Sequence, residues 1–471
     1  MAQAKAVPAP TAVADKKVAI GLTAVFVAYF TYNFFMNAIN ISQPKMVEEF
    51  NGMTLFSWLI ALPALGSAVS MLMFGKLSDM YGRRSILLTA LGMFLVGAVL
   101  SAVSTTMIIS IASRVILAFG QGALAPLCFA VIGDLFAPAA RAKWSGMLNL
   151  PAGIAATIAP TLGGMITESS MGWRGLFWVV APLVLISGVL VSFGIPANTQ
   201  KIKQKVDFLG IIVMVIASAT LIIGVSWLGA PSTLLTGIVL VVVSIAAWVG
   251  FIAVEKKAEA PILDPQVLFN RTFITAAVSG FMSFFGLLGV MIYSPLFAQS
   301  VMGFSPSVSG YMLTPFSMLF AFMGIPAGFV LAKTKKYKWI YIAGYSILTV
   351  ALFIMWSFTK DTPVWLFVLI TALVGFGNGV MPTINTLVAQ FAVPKRLLGV
   401  AIGAIFFFVM MGMAIAPAIL GLAQNSVADL EGGLKLVFLV GAITMISSLV
   451  LVLTIPEVSM DVEVTDQQAA K

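Results

Sequence analysis

Apolar stretches of about twenty residues alternate with short polar segments along the chain, and each is long enough to cross a bilayer as a helix. The stretches are continuous and lack the period-two alternation that is typical of membrane β-strands. The pattern therefore predicts an all-α polytopic membrane protein with fourteen transmembrane helices. The predicted spans are 18–41, 54–75, 85–104, 106–132, 144–167, 175–196, 208–230, 233–254, 272–298, 308–332, 339–358, 364–389, 397–423 and 434–455.

Two motifs recur in the chain at the same offset of 257 residues. FGQG at 119–122 returns as FGNG at 376–379, and the Ala-Pro pair at 159–160 returns at 416–417. Repeated halves of this kind are how many secondary transporters are built, with the substrate site between them. The repeat predicts two six-helix pseudo-repeat bundles with a two-helix insert between them. The predicted units are a disordered tail (1–17), the first bundle (18–200), the insert (201–257), the second bundle (258–455) and a second tail (456–471).

The distribution of charge agrees with this number of spans. Only 9% of the 471 residues are charged and 60% are hydrophobic, whereas a soluble chain carries about 25% charged residues. With both termini on the cytoplasmic side, the inner segments hold 21 of the 26 lysines and arginines, as the positive-inside rule requires. We therefore expect a multi-pass protein of the plasma membrane, and we attribute the net charge of +9 to orientation rather than to nucleic-acid binding.

Several function classes are disfavoured by what the sequence lacks. The chain has no histidine and only one cysteine, Cys128, so we expect neither a transition-metal site nor a bound cofactor. A membrane-embedded enzyme would need acid, histidine or metal chemistry inside the bilayer. A phosphate-binding loop and the filter motifs or charged rings of a channel are also missing. The expected partners are a small-molecule substrate and the lipid bilayer, and a monomer is expected.

One charged side chain, Arg114, is predicted to lie inside the membrane, about 10 Å from the outer end of the fourth span at about 1.5 Å per residue. All 17 acidic residues fall in tails, loops or span ends. Because a charge at the bilayer centre costs about 2.5–3.5 kcal/mol, Arg114 should face a partner or a water-filled cavity. Two interpretations stay open. The guanidinium either holds helices together through carbonyls and asparagines, or attracts an anionic substrate.

Further polar side chains occur at helical spacing on the first, fourth and twelfth spans. For these residues, interhelical hydrogen bonding and substrate contact are both open. The candidate substrate-binding residues are Arg114, Gln121, Tyr29, Asn33, Asn37, Asn40, Asn378 and Asn385.

The segment GKLSDMYGRRSIL (75–87) follows the second span and resembles the signature of the major facilitator superfamily between helices two and three. The resemblance implies a latch that joins the two halves at the cytoplasmic side and opens during the transport cycle. Its members here are Gly75, Asp79, Gly82, Arg83 and Arg84. The corresponding segment of the second half, near Gly328, is degenerate, with Ala332 where the acid would stand.

Finer features resemble the fourteen-helix drug:proton antiporter branch of that superfamily, including WRGLFWVVAP (173–182) and KVDFLG (205–210). The resemblance covers essentially residues 18–455. In the fifth span, Pro160, Gly163 and Gly164 match the antiporter motif and are expected to serve hinge and packing roles. One departure concerns the first span, where Phe35 stands at a position that commonly carries an acid.

The sequence thus predicts a secondary active transporter that works by alternating access. An amphipathic organic solute, preferably an organic anion, is favoured as substrate, because no carboxylate is available inside the membrane to bind a cation. Proton coupling is expected from the resemblance, and the direction of transport stays open. The alternative is multidrug efflux, in which lipophilic cationic drugs are exchanged for protons.

Overall fold

A computed structural model describes residues 12–52, 55–136, 138–196, 207–229, 232–259 and 261–455. These residues form helices joined by short turns. The helices are α1 (Ala12–Glu49), α2 (Phe56–Tyr81), α3 (Arg83–Ala102), α4 (Met107–Leu135), α5 (Pro138–Met147), α6 (Asn149–Glu168), α7 (Arg174–Gly194), α8 (Phe208–Trp227), α9 (Leu234–Glu255), α10 (Pro265–Leu268), α11 (Arg271–Ser300), α12 (Pro306–Phe322), α13 (Gly324–Thr334), α14 (Lys338–Trp356), α15 (Val364–Ala392), α16 (Leu398–Asn425) and α17 (Leu430–Leu453).

Within the described residues, 14 helical segments are long and apolar enough to cross a membrane. The predicted all-α polytopic fold is therefore confirmed. The fifth and tenth spans each consist of two helices, α5 with α6 and α12 with α13. The segment around 197–206 that joins the first bundle to the insert, and the predicted C-terminal tail 456–471, lie outside the described residues.

A proline follows each of these two breaks. Pro151 lies four residues after the end of α5 at Met147, and Pro326 lies four residues after the end of α12 at Phe322. A proline inside a helix lacks an N–H donor and its ring clashes with the carbonyl four residues before it. In each case the preceding helix ends at the residue four positions before the proline, whose carbonyl would clash with the proline ring in a continuous helix.

The two halves follow the predicted offset. Helices α4 and α15 begin and end at positions that are 257 residues apart. Helix α1 packs on α4, α6 and α7, and α11 packs on α12, α15, α16 and α17, so each of these helices packs within its own half. In the insert, α8 and α9 pack on each other, and α8 also contacts α2 and α16.

The repeated glycine motif explains the packing of α4. Gly120 faces α3, where a Cβ on it would lie 2.9 Å from the Cα of Phe94. Gly122 faces α2, where a Cβ would lie 2.6 Å from the Cα of Ser67. Small residues let helix backbones approach this closely, so one motif packs α4 against two neighbours at once.

The same arrangement recurs in the second half. A Cβ on Gly377 would lie 2.6 Å from Cγ of Leu348 in α14, and one on Gly379 would lie 2.7 Å from the carbonyl oxygen of Phe320 in α12. The FGQG and FGNG motifs therefore occur at equivalent three-helix contacts in the two halves.

The ends of α1 differ from the prediction. The helix begins at Ala12, so residues 12–17 of the predicted disordered tail are helical, whereas residues 1–11 lie outside the described residues. Alanine and lysine are good helix formers, which favours extension of the apolar helix into this segment.

At its other end α1 runs on to Glu49, which is bound by the start of α7. Trp173 Nε1 and Arg174 Nη1 each donate a hydrogen bond of 2.6 Å to the carboxylate, and Arg174 Nη2 donates to the carbonyl of Ser104. Burial raises the pKa of Glu49, but the bonds from Arg174 and Trp173 outweigh it, so the pKa lies below its usual value. The carboxylate therefore stays ionised and holds α1 to α7.

Candidate functional site

The two halves contact each other at the basic end of the bundle. This name is used for the end that carries Arg83, Arg84, Lys143, Lys333 and Lys395. Asp79, in the last turn of α2, points at the start of α16 in the other half. Its Oδ1 accepts from the backbone N–H of Gly399 (3.0 Å) and its Oδ2 from that of Val400 (2.9 Å). The first N–H groups of a helix lack partners within the helix and carry a partial positive charge. The carboxylate therefore caps a helix of the opposite half.

Arg83 holds this carboxylate in place. Its Nη2 lies 2.6 Å from Asp79 Oδ1, its Nε donates to Asp134 of α4 at 2.8 Å, and its Nη1 donates to Ser78. The chain reverses direction between α2 and α3 at Gly82, whose φ is +89°, a backbone conformation that favours glycine. Arg84 is half-buried and is not part of this network.

Gly75 allows α2 and α16 to meet. It lies against the carbonyl of Gly399, and a Cβ on it would be 3.2 Å from the Cα of Gly403. A side chain at this position would separate the helices whose contact positions Asp79. The structure thus brings four of the predicted gating residues, Gly75, Asp79, Gly82 and Arg83, to one junction between the halves.

A second junction at the basic end was not predicted from the sequence. Gly146 of α5 lies against Gly328 of α13, and Asn149 Nδ2 donates to Thr383 Oγ1 of α15 at 2.9 Å. Both contacts lie next to the two helix breaks. The prolines at 151 and 326 were a readable sign of the breaks, but nothing in the sequence indicated that the breaks face each other.

Gln390 is another residue that sequence reasoning missed. Both polar atoms of its amide are buried without a hydrogen-bond partner among the described residues. Its Oε1 lies 3.4 Å from where a Cβ of Gly133 would stand, which places the amide between α15 and α4 of the opposite half.

Arg114 lies eight residues into α4 and is 5% exposed. Its Nη1 is buried and has no hydrogen-bond partner among the described residues. Every aspartate and glutamate of the described spans lies in the first or last turn of its helix. The guanidinium is therefore well separated along the helices from these carboxylates, and a buried donor without a partner costs about 1–3 kcal/mol.

The direction of Arg114 follows from its neighbours on α4. Ser110 Oγ donates to the sulfur of Met46, and Gln121 Nε2 donates to the carbonyl of Tyr32, so the α4 face that carries these residues faces α1. Arg114 lies between them on the same face, because residues 110, 114 and 121 are close to whole turns apart. It therefore faces the part of α1 between Tyr32 and Met46.

The asparagines of α1 lie in this same part of the helix. Asn33 and Asn37 are half-buried, Asn40 is exposed, and each donates its amide N–H to the carbonyl four residues earlier. Gln43 is buried and donates to Asn40 Oδ1 at 3.3 Å. Among the described residues, the structure shows no donor to the amide oxygens of Asn33 and Asn37. The amide oxygen of Asn40 accepts the bond from Gln43.

Tyr29 lies one turn before Asn33, at the boundary between the halves. Its ring stacks on Tyr32 at 5.9 Å and meets Phe129 of α4 edge to face at 5.7 Å. Phe129 in turn contacts Phe406 of α16 at 5.4 Å. The aromatic contacts run from α1 through α4 to the other half.

In the second half the predicted candidates are enclosed. Asn378 is buried and donates to the carbonyl of Val374 in its own helix. Asn385 is also buried and accepts a hydrogen bond of 2.6 Å from the hydroxyl of Tyr341 in α14. Tyr345 and Ser283 continue this polar network into α11. The structure therefore places Asn385 in an interhelical network and does not bring it next to Arg114.

Of the two glycines expected to serve hinge and packing roles, Gly163 lies close to α1 and Gly164 does not. A Cβ on Gly163 would lie 3.1 Å from the Cβ of Ala38 in α1, whereas Gly164 has nothing within 4 Å of such a position. Pro160 lies inside α6 and is exposed.

Phe35 packs in the core of the first half and does not face a polar cavity. Its ring is 2% exposed and lies 5.5 Å from that of Phe94 and 5.7 Å from that of Phe177. We expect Phe35→Asp to prevent folding, because an unpaired charge would be buried among apolar rings. Phe35→Leu should be tolerated at a cost of about 1–2 kcal/mol. Thermal unfolding and yield of both variants in detergent would check this. A stable Phe35→Asp protein with altered substrate preference would show that the position lines a cavity.

Comparison with known proteins identifies the class. The profile of the Major Facilitator Superfamily matches residues 25–417. The chain is 28% identical to the multidrug transporter protein MdtP of Bacillus subtilis over 409 residues, which cover 86% of this chain and 75% of the relative. It is 29% identical to multidrug resistance protein 3 of Bacillus subtilis over 387 residues, covering 81% and 75%.

Two solved transporters have the same fold. The proton:xylose symporter XylE bound to 6-bromo-6-deoxy-D-glucose superposes with a TM-score of 0.68 at 14% identity, covering 95% of this chain and 98% of that chain. The human organic anion transporter MFSD10 gives a TM-score of 0.67 at 15% identity, covering 92% and 99%.

The chain belongs to the Major Facilitator Superfamily. It is a multi-pass membrane protein and a secondary transporter, not an enzyme.

Proposed function

We propose that this transporter moves an amphipathic organic anion across the plasma membrane by alternating access, driven by the proton gradient. The observation that carries the proposal is the buried guanidinium of Arg114, whose Nη1 has no partner among the described residues. A carboxylate-bearing solute would supply that partner, since arginine binds carboxylates through paired, charge-assisted hydrogen bonds. The amide oxygens of Asn33 and Asn37 and the exposed side chain of Asn40 are available to the polar groups of such a solute.

In this proposal the chain works as a monomer with both termini on the cytoplasmic side, which makes the basic end the cytoplasmic one. The contact of Asp79 with α16 then closes the cytoplasmic side, and release of that contact opens it. Pro160, Gly163 and Gly164 serve as the hinge of the first half.

Efflux of lipophilic cationic drugs by proton antiport is the second candidate. It is favoured by the similarity to MdtP and to multidrug resistance protein 3, both described as multidrug proteins. The absence of a carboxylate from the interior of the described spans speaks against it, because a cation bound there would lack a counter-charge.

Transport by the purified protein in liposomes separates the two candidates. An amphipathic carboxylate and a lipophilic cation of matched apolar size would be offered with and without an imposed pH gradient, and protein-free liposomes would serve as control. We expect uptake of the carboxylate that increases with the gradient. Gradient-dependent movement of the cation alone would establish the second candidate instead.

A further inference from the structure

Two carboxylates meet at the base of the insert, where α8 begins and α9 ends. Asp207 precedes α8 and its Oδ1 accepts from the backbone N–H of Gly210 at 2.8 Å. Glu255 is the last residue of α9 and is 2% exposed. Its Oε2 accepts from the backbone N–H of Leu263 at 3.1 Å. One oxygen of each carboxylate is therefore held by a backbone donor.

The other two oxygens converge on the same point. A Cβ on Gly210 would lie 2.6 Å from Asp207 Oδ2 and 2.7 Å from Glu255 Oε1, so both oxygens point into the space beside Gly210. Both oxygens are buried and neither has a hydrogen-bond partner among the described residues. Any side chain in place of Gly210 would occupy the space into which the two carboxylates point.

Two carboxylates whose unpartnered oxygens point into the same buried space repel each other when both are ionised, and a proton on one of them relieves this repulsion. The protonated carboxyl can then donate a charge-assisted hydrogen bond to the other carboxylate. A metal ion fits the surroundings poorly, because it needs several oxygen ligands. The backbone groups that face the pair are N–H donors, and the ammonium group of Lys76 acts on Glu255 from α2.

We propose that Asp207 and Glu255 share one proton and form a proton-binding site at the base of the insert. The site needs no assumption about the substrate. Its neighbours link it to the junction between the halves, because α8 packs on both α2 and α16, the helices that Asp79 joins. Loss of the proton adds a negative charge that interacts electrostatically with Lys76 of α2, so the protonation state acts on a helix of that junction.

The elements around the pair carry few other charged groups. Helices α10 and α16 carry no charged residue, and Asp264 is engaged in capping α10. The charged residues that adjoin the pair are Lys76 on α2, which acts on Glu255 electrostatically, and Lys256, Lys257 and Glu259 in the exposed turn after α9.

Infrared difference spectroscopy of the purified full-length protein tests the proposal directly, with pH as the only variable and no transport required. We expect a C=O stretching band of a protonated carboxyl group that disappears as the pH rises. The band should be lost in Glu255→Gln and Asp207→Asn, and in Gly210→Ala, whose Cβ separates the oxygens. Glu259→Gln, an exposed glutamate of the same loop, is the matched control and should retain it. A band unchanged in Glu255→Gln and Asp207→Asn, or no band at all, would overturn the proposal.

The thermal unfolding midpoint gives a second readout if one variant folds poorly. The shared proton relieves repulsion that exists only in the folded state, so its stabilisation is present at low pH and is lost when the proton is released at higher pH. In Glu255→Gln the side-chain amide can donate a hydrogen bond to Asp207 in place of the protonated carboxyl. The thermal unfolding midpoint should therefore lose this pH dependence. A wild-type midpoint raised by sodium or calcium ions, with no carboxyl band, would mean that the pair binds a cation and that the proposal is wrong.

Discussion

Asp79→Asn is expected to slow transport at least about tenfold and to loosen the basic end of the bundle. The carboxylate accepts two backbone N–H bonds from α16, and the single amide oxygen of asparagine cannot replace both. A hydrogen bond to a charged group contributes about 1.5–3 kcal/mol, and a negative charge at a helix N-terminus adds up to ~2 kcal/mol. Loss of about 1.4 kcal/mol already changes the balance between two conformations tenfold.

The conformational part of this result can be measured by the distance between two spin labels. Tyr81→Cys at the end of α2 and Lys336→Cys after α13 place one label on each half, both at the basic end and both at exposed positions. Cys128, the only native cysteine, is buried and would be replaced by alanine. In Asp79→Asn we expect a longer and broader distance distribution than in the parent protein.

Asp134→Asn is the matched control for the loss of charge. Asp134 binds the same Arg83 at 2.8 Å, but it belongs to α4 of the same half and is 34% exposed. Its replacement removes one negative charge from the network without removing a bond between the halves. The spin-label distance should therefore stay near that of the parent. Equal effects of both variants would mean that the charge around Arg83 matters and that the contact of Asp79 with α16 does not.

The spans could be predicted from the sequence because the thickness of the hydrocarbon core fixes the length of an apolar helix. The repeat was readable for a related reason. Gly120 and Gly377 occupy equivalent packing positions in the two halves, where an added side chain would crowd the neighbouring helix. The gating residues were found through a resemblance, and their geometry became explicable only once Gly399 and Val400 were placed opposite Asp79.

The sequence did not indicate which residues far apart in the chain contact each other. Asn149 and Thr383 are 234 positions apart, and neither lies in a sequence motif that indicates a contact with the other. Asp207 and Glu255 both lie next to the ends of predicted spans, but their convergence on Gly210 depends on how α8 and α9 pack. The burial of Phe35 was likewise not readable, because an apolar residue on a spanning helix can face lipid, core or cavity.

Arg114→Ala is expected to abolish transport of the organic anion while the protein stays folded. Loss of a charge-assisted pair with a carboxylate, about 3 kcal/mol, corresponds to roughly a hundredfold weaker binding. Stability should not fall by much, because Nη1 has no partner to lose and its removal relieves the cost of an unsatisfied buried donor. Arg114→Lys keeps the charge and should retain part of the transport, although an ammonium group cannot form the paired bonds of a guanidinium.

Uptake of the carboxylate into liposomes and the thermal unfolding midpoint, measured on the same preparations, would check this prediction. Arg141→Ala is the matched control, since Arg141 is also buried but donates from Nε to the carbonyl of Phe136 at 2.9 Å. Arg141→Ala removes this donor from the carbonyl of Phe136, so the thermal unfolding midpoint should fall. If Arg114→Ala lowered the midpoint as Arg141→Ala does, the guanidinium would be a structural group. If it kept both midpoint and transport, no substrate would depend on Arg114 and the proposed anion would be wrong. Lost uptake with an unchanged midpoint is the one combination that a purely structural arginine cannot produce, because such a residue acts on transport only through the fold.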